Sequence, residues 1–429
     1  MKPWRIDGGW PFCWAAALAL LGAVAATSPN RAHAEPPLPV PSGFSQAKLE
    51  RIGEYFRNEV STGKLPGAVV LIRQHGRPAF SESFGLRDVT TSQPMTPDSI
   101  FRLYSMSKPV TSVAAMMLVE DGKLKLDDPL SRYIPAFADV KVAVERRAED
   151  GKPVLATEPL ARAITIEDLF RHTSGITYGF YGDTPVRKLY ANSGLFDGDF
   201  DNAQFVERLA RLPLAEQPGT LWDYGHSTDV LGRVVEVVSG KSLFQFEKER
   251  LLDPLGMTET AFDVADPVQR RRVAEPLPQD RFGPVAGIVD PVLPRKWQSG
   301  GAGMVGTIGD YARFAQMLLN GGELDGRRYL KPETVALMTS DHIGPRTRIA
   351  RDRFYFPGAD SGFGLGFAVS IDPKPPLRSG EYRWDGAGGT FFFIDPKDDM
   401  FTIVMLQSPS QRGRIETEVK QLVYEALGK

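Results

Sequence analysis

The residues in this chain best placed to do chemistry together are Ser105 and Lys108, in the run Ser105-Met106-Ser107-Lys108. A serine hydroxyl is a poor nucleophile until a base takes its proton. Residues three apart on a helix share a face, so the lysine can reach the serine. Burial disfavours an ammonium and lowers its pKa, which turns a lysine into a usable base. The run opens a segment apolar nearly all round, with Val110, Val113, Ala114, Met116, Met117 and Leu118, the pattern of a buried helix. Pro109 fits only near the first turn. Ser105 is therefore expected at the helix start, where N–H groups and partial positive charge favour an oxyanion. The competing reading is a serine cap followed by a solvated lysine.

Two further stretches bear on that choice. Trp222-Asp223-Tyr224-Gly225-His226-Ser227 precedes a helix expected over 227–238 and closed by Gly240. Tyr224 reads either as core packing or, beside an ammonium that lowers its pKa, as a proton shuttle. Trp384-Asp385-Gly386-Ala387-Gly388-Gly389-Thr390 is a glycine-rich strand end that lets backbone approach a ligand. The Ala387 N–H there can supply a second oxyanion donor opposite that of Ser105; the plain alternative is a strand turn. Gly225-His226-Ser227-Thr228-Asp229 makes a poor nucleophile elbow, since it lacks the final glycine and follows no good strand.

The elements that must hold these residues are legible from period and punctuation. Helical spacing runs over 45–62 (Leu49, Ile52, Tyr55, Phe56, Val60), and 67–84 reads as a hairpin turning at His75-Gly76. Residues 136–163 read as a surface connection or short hairpin, and helical patterns dominate 165–265. A glycine-rich stretch at 300–305 precedes a helix at 310–320. Strands follow at 364–371, 382–385, 390–395 and 401–406, then a closing helix at 415–427. This order predicts an α/β (α+β) fold, one antiparallel sheet flanked by helices with a mostly helical inserted domain. The expected division is 35–135 with 290–429 for the sheet domain and 136–289 for the insertion.

Taken together, these motifs resemble the serine β-lactamase and penicillin-binding-protein superfamily, in its class C β-lactamase and family VIII carboxylesterase branch. Ile100-Phe101-Arg102-Leu103-Tyr104, Asp121-Gly122-Lys123-Leu124 and Ser299-Gly300-Gly301-Ala302-Gly303-Met304 also match. The resemblance implies that Ser105 is the acylated nucleophile, Lys108 its proton acceptor and Tyr224 the acid for the leaving group. It also implies that the Ser105 and Ala387 amides form the oxyanion hole. Two departures stand out. His226 occupies the place of the asparagine in Tyr-x-Asn, and Trp384-Asp385-Gly386 the place of Lys-Thr-Gly. His226, Trp384, Asp385 and Gly386 are accordingly expected to touch substrate. Without the lysine of Lys-Thr-Gly no cation meets a substrate carboxylate, and Asp385 adds negative charge. Arg383 is expected to point to the opposite face from Trp384. A carboxylesterase for short-chain esters is the expected function. A cephalosporin-type β-lactamase, a D-amino-acid peptidase or amidase, and a non-catalytic binding protein remain as alternatives.

Outside the site, the first 34 residues read as a secretory signal. Lys2 and Arg5 precede an apolar run over 12–26, and Ala32-His33-Ala34 marks cleavage before Glu35. The run is shorter than the ~20 residues a spanning helix needs, so an exported, periplasmic or secreted protein without stable membrane insertion is expected rather than an anchored one. Cys13, the only cysteine, lies inside that signal, which leaves no disulfide or thiol chemistry afterwards. The five histidines are scattered, without metal-ligand spacing, and no metal or other cofactor is expected. A net charge of −2 over 429 residues gives no footprint for nucleic acid. Small-molecule esters or β-lactams are the expected partners.

Overall fold

The alternation between Gly67 and Asp88 folds as two strands, β1 (Gly67–Gln74) and β2 (Arg77–Asp88), joined where His75 and Gly76 both take positive φ. They follow helix α1 (Gln46–Ser61) and precede a short strand β3 (Gln93–Pro94). The buried segment after the Ser-x-x-Lys run is helix α2 (Ser107–Glu120), and the helix after Tyr224 is α3 (Ser227–Ser239). The C-terminal part supplies β4 (Ser361–Phe363), β5 (Ala368–Ser370), β6 (Tyr382–Asp385), β7 (Phe391–Asp395), β8 (Met400–Leu406) and helix α4 (Arg412–Ala426). The computed structural model describes residues 43–147, 149, 153–280, 291–344, 347–352, 355–375 and 377–427. The expected signal segment, with Cys13 and the cleavage site at Ala34, lies outside the described residues, as does the domain junction expected at 289/290.

The strands form one eight-stranded sheet in the order β4-β5-β6-β7-β8-β1-β2-β3, every neighbouring pair antiparallel. Two adjacent interior strands, β8 and β1, come from opposite ends of the chain, with Ala68 opposite Leu406 and Val70 opposite Val404. Alternation sends successive side chains to opposite faces. Ala68, Val70, Ile72, Phe391, Phe393 and Val404 meet Leu49, Ile52 and Phe56 of α1 and Ile415, Val419 and Val423 of α4. Val69, Phe392, Ile394, Ile403 and Met405 face the other way, into a core shared with α2 and α3. All seven residues of β8 are buried, as a strand covered on both faces requires. Each fully buried Val, Ile or Phe there stabilises by roughly 1.5–3 kcal/mol.

One expected strand is shorter than read. Of the stretch 364–371 only β5 is strand, because residues 364–367 reverse the chain between β4 and β5, with the Gly364 amide bonded to the Phe367 carbonyl at 2.8 Å. Residues 142–147 and 153–158 pair as a hairpin. The helical stretch that follows, with Ile166, Phe205 and Val230, packs into the same core as Phe392 and Ile403. No helix among the described residues is long and apolar enough to cross a membrane.

Candidate active site

Ser105 lies in a 3₁₀ turn, Tyr104–Met106, and α2 begins only at Ser107. The serine was expected at the start of the α-helix; Tyr104 takes φ 47° and breaks the regular path there. A non-glycine residue in that region is strained and persists only when its surroundings impose it. The surroundings are identifiable. The Leu103 amide bonds to Met304 O at 2.9 Å, and Thr390 Oγ1 donates to Leu103 O at 3.3 Å. Tyr311 donates to Met106 O at 3.0 Å, and the Met304 amide to Ser107 Oγ at 3.0 Å. The Tyr104 ring lies so close over Gly388 that a Cβ there would come within 2.6 Å of it.

From this turn Lys108 extends its amine back to the serine. Nζ lies 3.2 Å from Ser105 Oγ, 3.2 Å from the Tyr178 hydroxyl and 2.7 Å from Gly301 O, and 4.5 Å from the centre of the Tyr224 ring. The side chain is buried, and burial pulls its pKa down to about 7 against the opposing pull of Asp229 and Asp385. A neutral amine beside a serine hydroxyl near neutral pH can accept its proton.

Tyr224 is brought in by two segments lying against each other. Gly225 passes so close to the Ile176 carbonyl that a Cβ would sit 2.2 Å from it, and Thr177 Oγ1 donates to Asp223 at 3.1 Å. The Tyr224 ring is stacked on Tyr355, with centroids 5.0 Å apart, and backed by Trp384 at 5.3 Å and His172 at 4.9 Å. Its hydroxyl makes no hydrogen bond of good geometry among the described residues, although Ser105 and the Trp384 indole lie near enough to stabilise a phenolate slightly. The expected lowering of its pKa by a neighbouring ammonium is not what the structure shows. Burial, reinforced by Tyr181 and Asp385, raises it well above 10 and outweighs the lowering by Ser105 and Trp384. Tyr224 is a phenol that can donate a proton.

The turn after β6 is closed by the amides of Gly386, to Thr390 O at 2.7 Å, and Gly389, to Gly386 O at 2.9 Å. Ala387 stands at its tip and lines the same cavity as Ser105. That cavity, about 50 Å³, is walled by Tyr104, Tyr178, Phe180, Tyr181, Phe196 and Trp297, and is lined also by Tyr224, His226 and Asp229.

The four residues expected to touch substrate separate into two groups. His226 borders the cavity, its ring 4.4 Å from Tyr178 and its Nδ1 2.9 Å from Asp229 Oδ2. Trp384, Asp385 and Gly386 do not border it. Trp384 is buried behind Tyr224 and Phe363. Gly386 packs on Leu103 O and Thr390, where a Cβ would come within 2.4 Å. Asp385 is ion-paired with Arg412 of α4 at 3.1 Å and receives the Tyr355 hydroxyl at 3.5 Å, so its charge is met from its own protein rather than offered to the cleft. Arg383 donates to Ser370 Oγ at 3.0 Å and Ser361 Oγ at 2.6 Å.

A family model described as Beta-lactamase matches residues 52–425. The chain belongs to the beta-lactamase family. Membership makes it a hydrolase of that family, and the fold is the family's α/β arrangement of sheet and flanking helices. Among its relatives, Protein Rv1367c of Mycobacterium tuberculosis is 37% identical over 82% of this chain and 88% of its own length. Esterase EstB of Burkholderia gladioli is 32% identical over 83% and 90%. A solved structure titled EstCE1, a hydrolase with promiscuous acyltransferase activity, superposes with a TM-score of 0.72 at 27% identity, covering 88% of this chain and 99% of that one.

Two polar residues of this beta-lactamase-family site went unread in the sequence. Tyr178, whose hydroxyl meets Lys108, sits in an aromatic and glycine-rich stretch with no motif to single it out. Asp229 lies in the first turn of α3, where an acidic residue ordinarily complements the helix dipole. Here it accepts from Ser299 Oγ at 2.5 Å and the Gly301 amide at 3.1 Å, and the Gly301 carbonyl in turn holds Lys108. Burial raises the Asp229 pKa, but His226, Lys108 and Ser299 outweigh it and keep the group ionised. Only its spacing from Tyr224 and His226 hinted at this role.

Proposed function

We propose that this chain hydrolyses short-chain carboxylic esters through an acyl-enzyme on Ser105. The observation that carries the reading is the buried Lys108 amine 3.2 Å from Ser105 Oγ, with its pKa near 7. Neutral Lys108 takes the Ser105 proton as Oγ attacks the ester carbonyl. The oxyanion faces the amides of Ser105 and Ala387. The leaving alkoxide takes the proton of Tyr224, and the Lys108 ammonium restores it, so the first half-reaction ends with acyl-Ser105, free alcohol and a neutral lysine. Water then attacks the acyl group, giving its proton to the same lysine–tyrosine pair, and Ser105 leaves protonated. No cofactor is needed.

An ester substrate is supported by the cavity and by the relatives. About 50 Å³, several times the roughly 10–15 Å³ a cavity needs to hold one water, suits a short acyl chain among aromatic walls. EstB is named an esterase. Among the described residues, those around the cavity include no lysine or arginine, and Arg412 is committed to Asp385. A β-lactam carboxylate thus forgoes a charge-assisted contact worth on the order of 1.5–3 kcal/mol, or ~10- to 150-fold. The test compares kcat/KM for a butyryl aryl ester, a penicillin and a cephalosporin. The ester is expected to exceed the penicillin by roughly 100-fold, with slow cephalosporin turnover. Penicillin turnover equal to that of the ester would make β-lactamase the better assignment.

The reading includes export. The mature protein is expected to begin at Glu35, which N-terminal mass analysis of secreted material checks; an intact, membrane-bound N-terminus would overturn it.

A further inference from the structure

Three rings shape one side of the site, and each comes from a different segment. Tyr355 lies between Tyr224, at 5.0 Å and 27° between planes, and Tyr181, at 4.8 Å and 23°. Ring stacking alone leaves such segments free to slide, since offset arrangements of similar energy lie close together. What holds them in register is on the far side of the stack. Arg187, on the helix Pro185–Ala191, is 3% exposed. Its Nη1 donates to Tyr181 O at 2.6 Å. Its Nη2 reaches Asp223 Oδ1, next to Tyr224 in the chain, at 2.9 Å, and Asp352 Oδ2 at 3.2 Å. That same Asp352 oxygen accepts the Tyr355 amide at 3.2 Å, and the Asp352 amide bonds to Trp222 O at 3.0 Å.

We infer that Arg187 is a positioning residue for leaving-group protonation: its guanidinium ties the segments bearing Tyr181, Tyr224 and Tyr355 into one unit and so sets where the Tyr224 hydroxyl stands. A planar fork with donors in fixed directions is pre-organised to meet a carbonyl and two carboxylates from one buried point. This rests on the reading of Tyr224 as the acid. Arg187 touches no substrate; it acts through the ring stack.

The consequence is selective. An alkoxide leaves poorly without a proton, whereas a nitrophenoxide leaves without help. Misplacing an acid by about 1 Å can cost ~100-fold, so the cost should fall on alkyl esters alone. The experiment measures kcat/KM of folded Arg187→Met for an ethyl ester and a nitrophenyl ester of the same short acid, beside Tyr224→Phe as reference. Arg187→Met is expected to lose at least roughly 30-fold on the ethyl ester and no more than about 3-fold on the nitrophenyl ester, the same pattern as Tyr224→Phe. Asp352→Asn, which keeps an oxygen for the Tyr355 amide but removes the charge paired with Arg187, is expected to show a smaller loss of the same selectivity. It serves if Arg187→Met does not fold. Equal losses on both esters in the Arg187 or Asp352 variant, with Tyr224→Phe still selective, would overturn the positioning role and leave the catalytic reading intact. Equal losses in Tyr224→Phe itself would remove the acid role on which the inference stands.

Discussion

A slow aryl phosphonate will add once to this protein, and peptide mapping will find the adduct on Ser105. Other serines are close by, but their hydroxyls are spoken for. Ser227 is buried and bonded to Ser174 at 2.9 Å. Ser299 donates to Asp229 at 2.5 Å, and Ser107 accepts the Met304 amide. Among the described serines, Ser105 alone combines a place on the cavity wall with an amine at 3.2 Å. Ser105→Ala should lower turnover by ~10⁴-fold or more, the scale on which loss of a nucleophile registers. Its melting temperature should barely move, because Ser105 is only half-buried and removing its hydroxyl opens no core cavity. An adduct on Ser227 or Ser299 would refute the assignment.

The second large effect is the pH dependence built on Lys108. With a pKa near 7, the amine is protonated and useless as a base in mildly acidic solution, so kcat/KM should fall about tenfold per pH unit below pH 7. Lys108→Met should cost ~10²- to 10⁴-fold at pH 8 and abolish that limb of the profile. Stability should also rise with pH, over a higher window. The folded pKa lies below the unfolded value of 10.5, so between about pH 7 and 10.5 the unfolded chain holds a proton that the folded protein has released, and stability rises with pH. Below pH 7 both states are protonated and the folded state carries the whole cost of burying an ammonium. Lys108→Met should therefore stabilise the protein most below pH 7, on the order of a few kcal/mol, and progressively less as pH rises. Denaturant midpoints at pH 6 and pH 9 provide the measurement. A variant that melts lower at pH 6 would show that the contacts to Gly301 and Tyr178 outweigh the desolvation cost.

How much of this was readable in the sequence follows the range of the interactions. The Ser105–Lys108 contact is one helical turn and needed only spacing. The hairpin at His75-Gly76 and the limits of α3 are similarly local. Strand β5 was misjudged because the reversal at Gly364–Phe367 depends on what packs around it rather than on alternation. Asp385 looked like a charge for the cleft because its partner, Arg412, lies across the sheet turn in another element. Tyr224 was expected to be acidified by an ammonium, but burial on every side is a property of the assembled site. Arg187 sits in an unremarkable helical turn, and nothing in its neighbours announces a fork between Asp223 and Asp352.

The pairing of β1 with β8 has a consequence in time. It joins the first strand to the last among the described residues, closing a loop that spans most of the chain, and contacts so distant in sequence form late and slowly. The Tyr104 conformation beside Ser105 leans on Gly388, and Leu103 is held by Thr390. On the proposed mechanism, a growing chain that has already made Ser105 and Lys108 is expected to have no working nucleophile until the C-terminal strands emerge and dock. Synthesis of the enzyme and onset of its activity should then be separated by the passage of almost the entire polypeptide, and a product truncated before β7 should be inert even where Ser105, Lys108 and Tyr224 are all present.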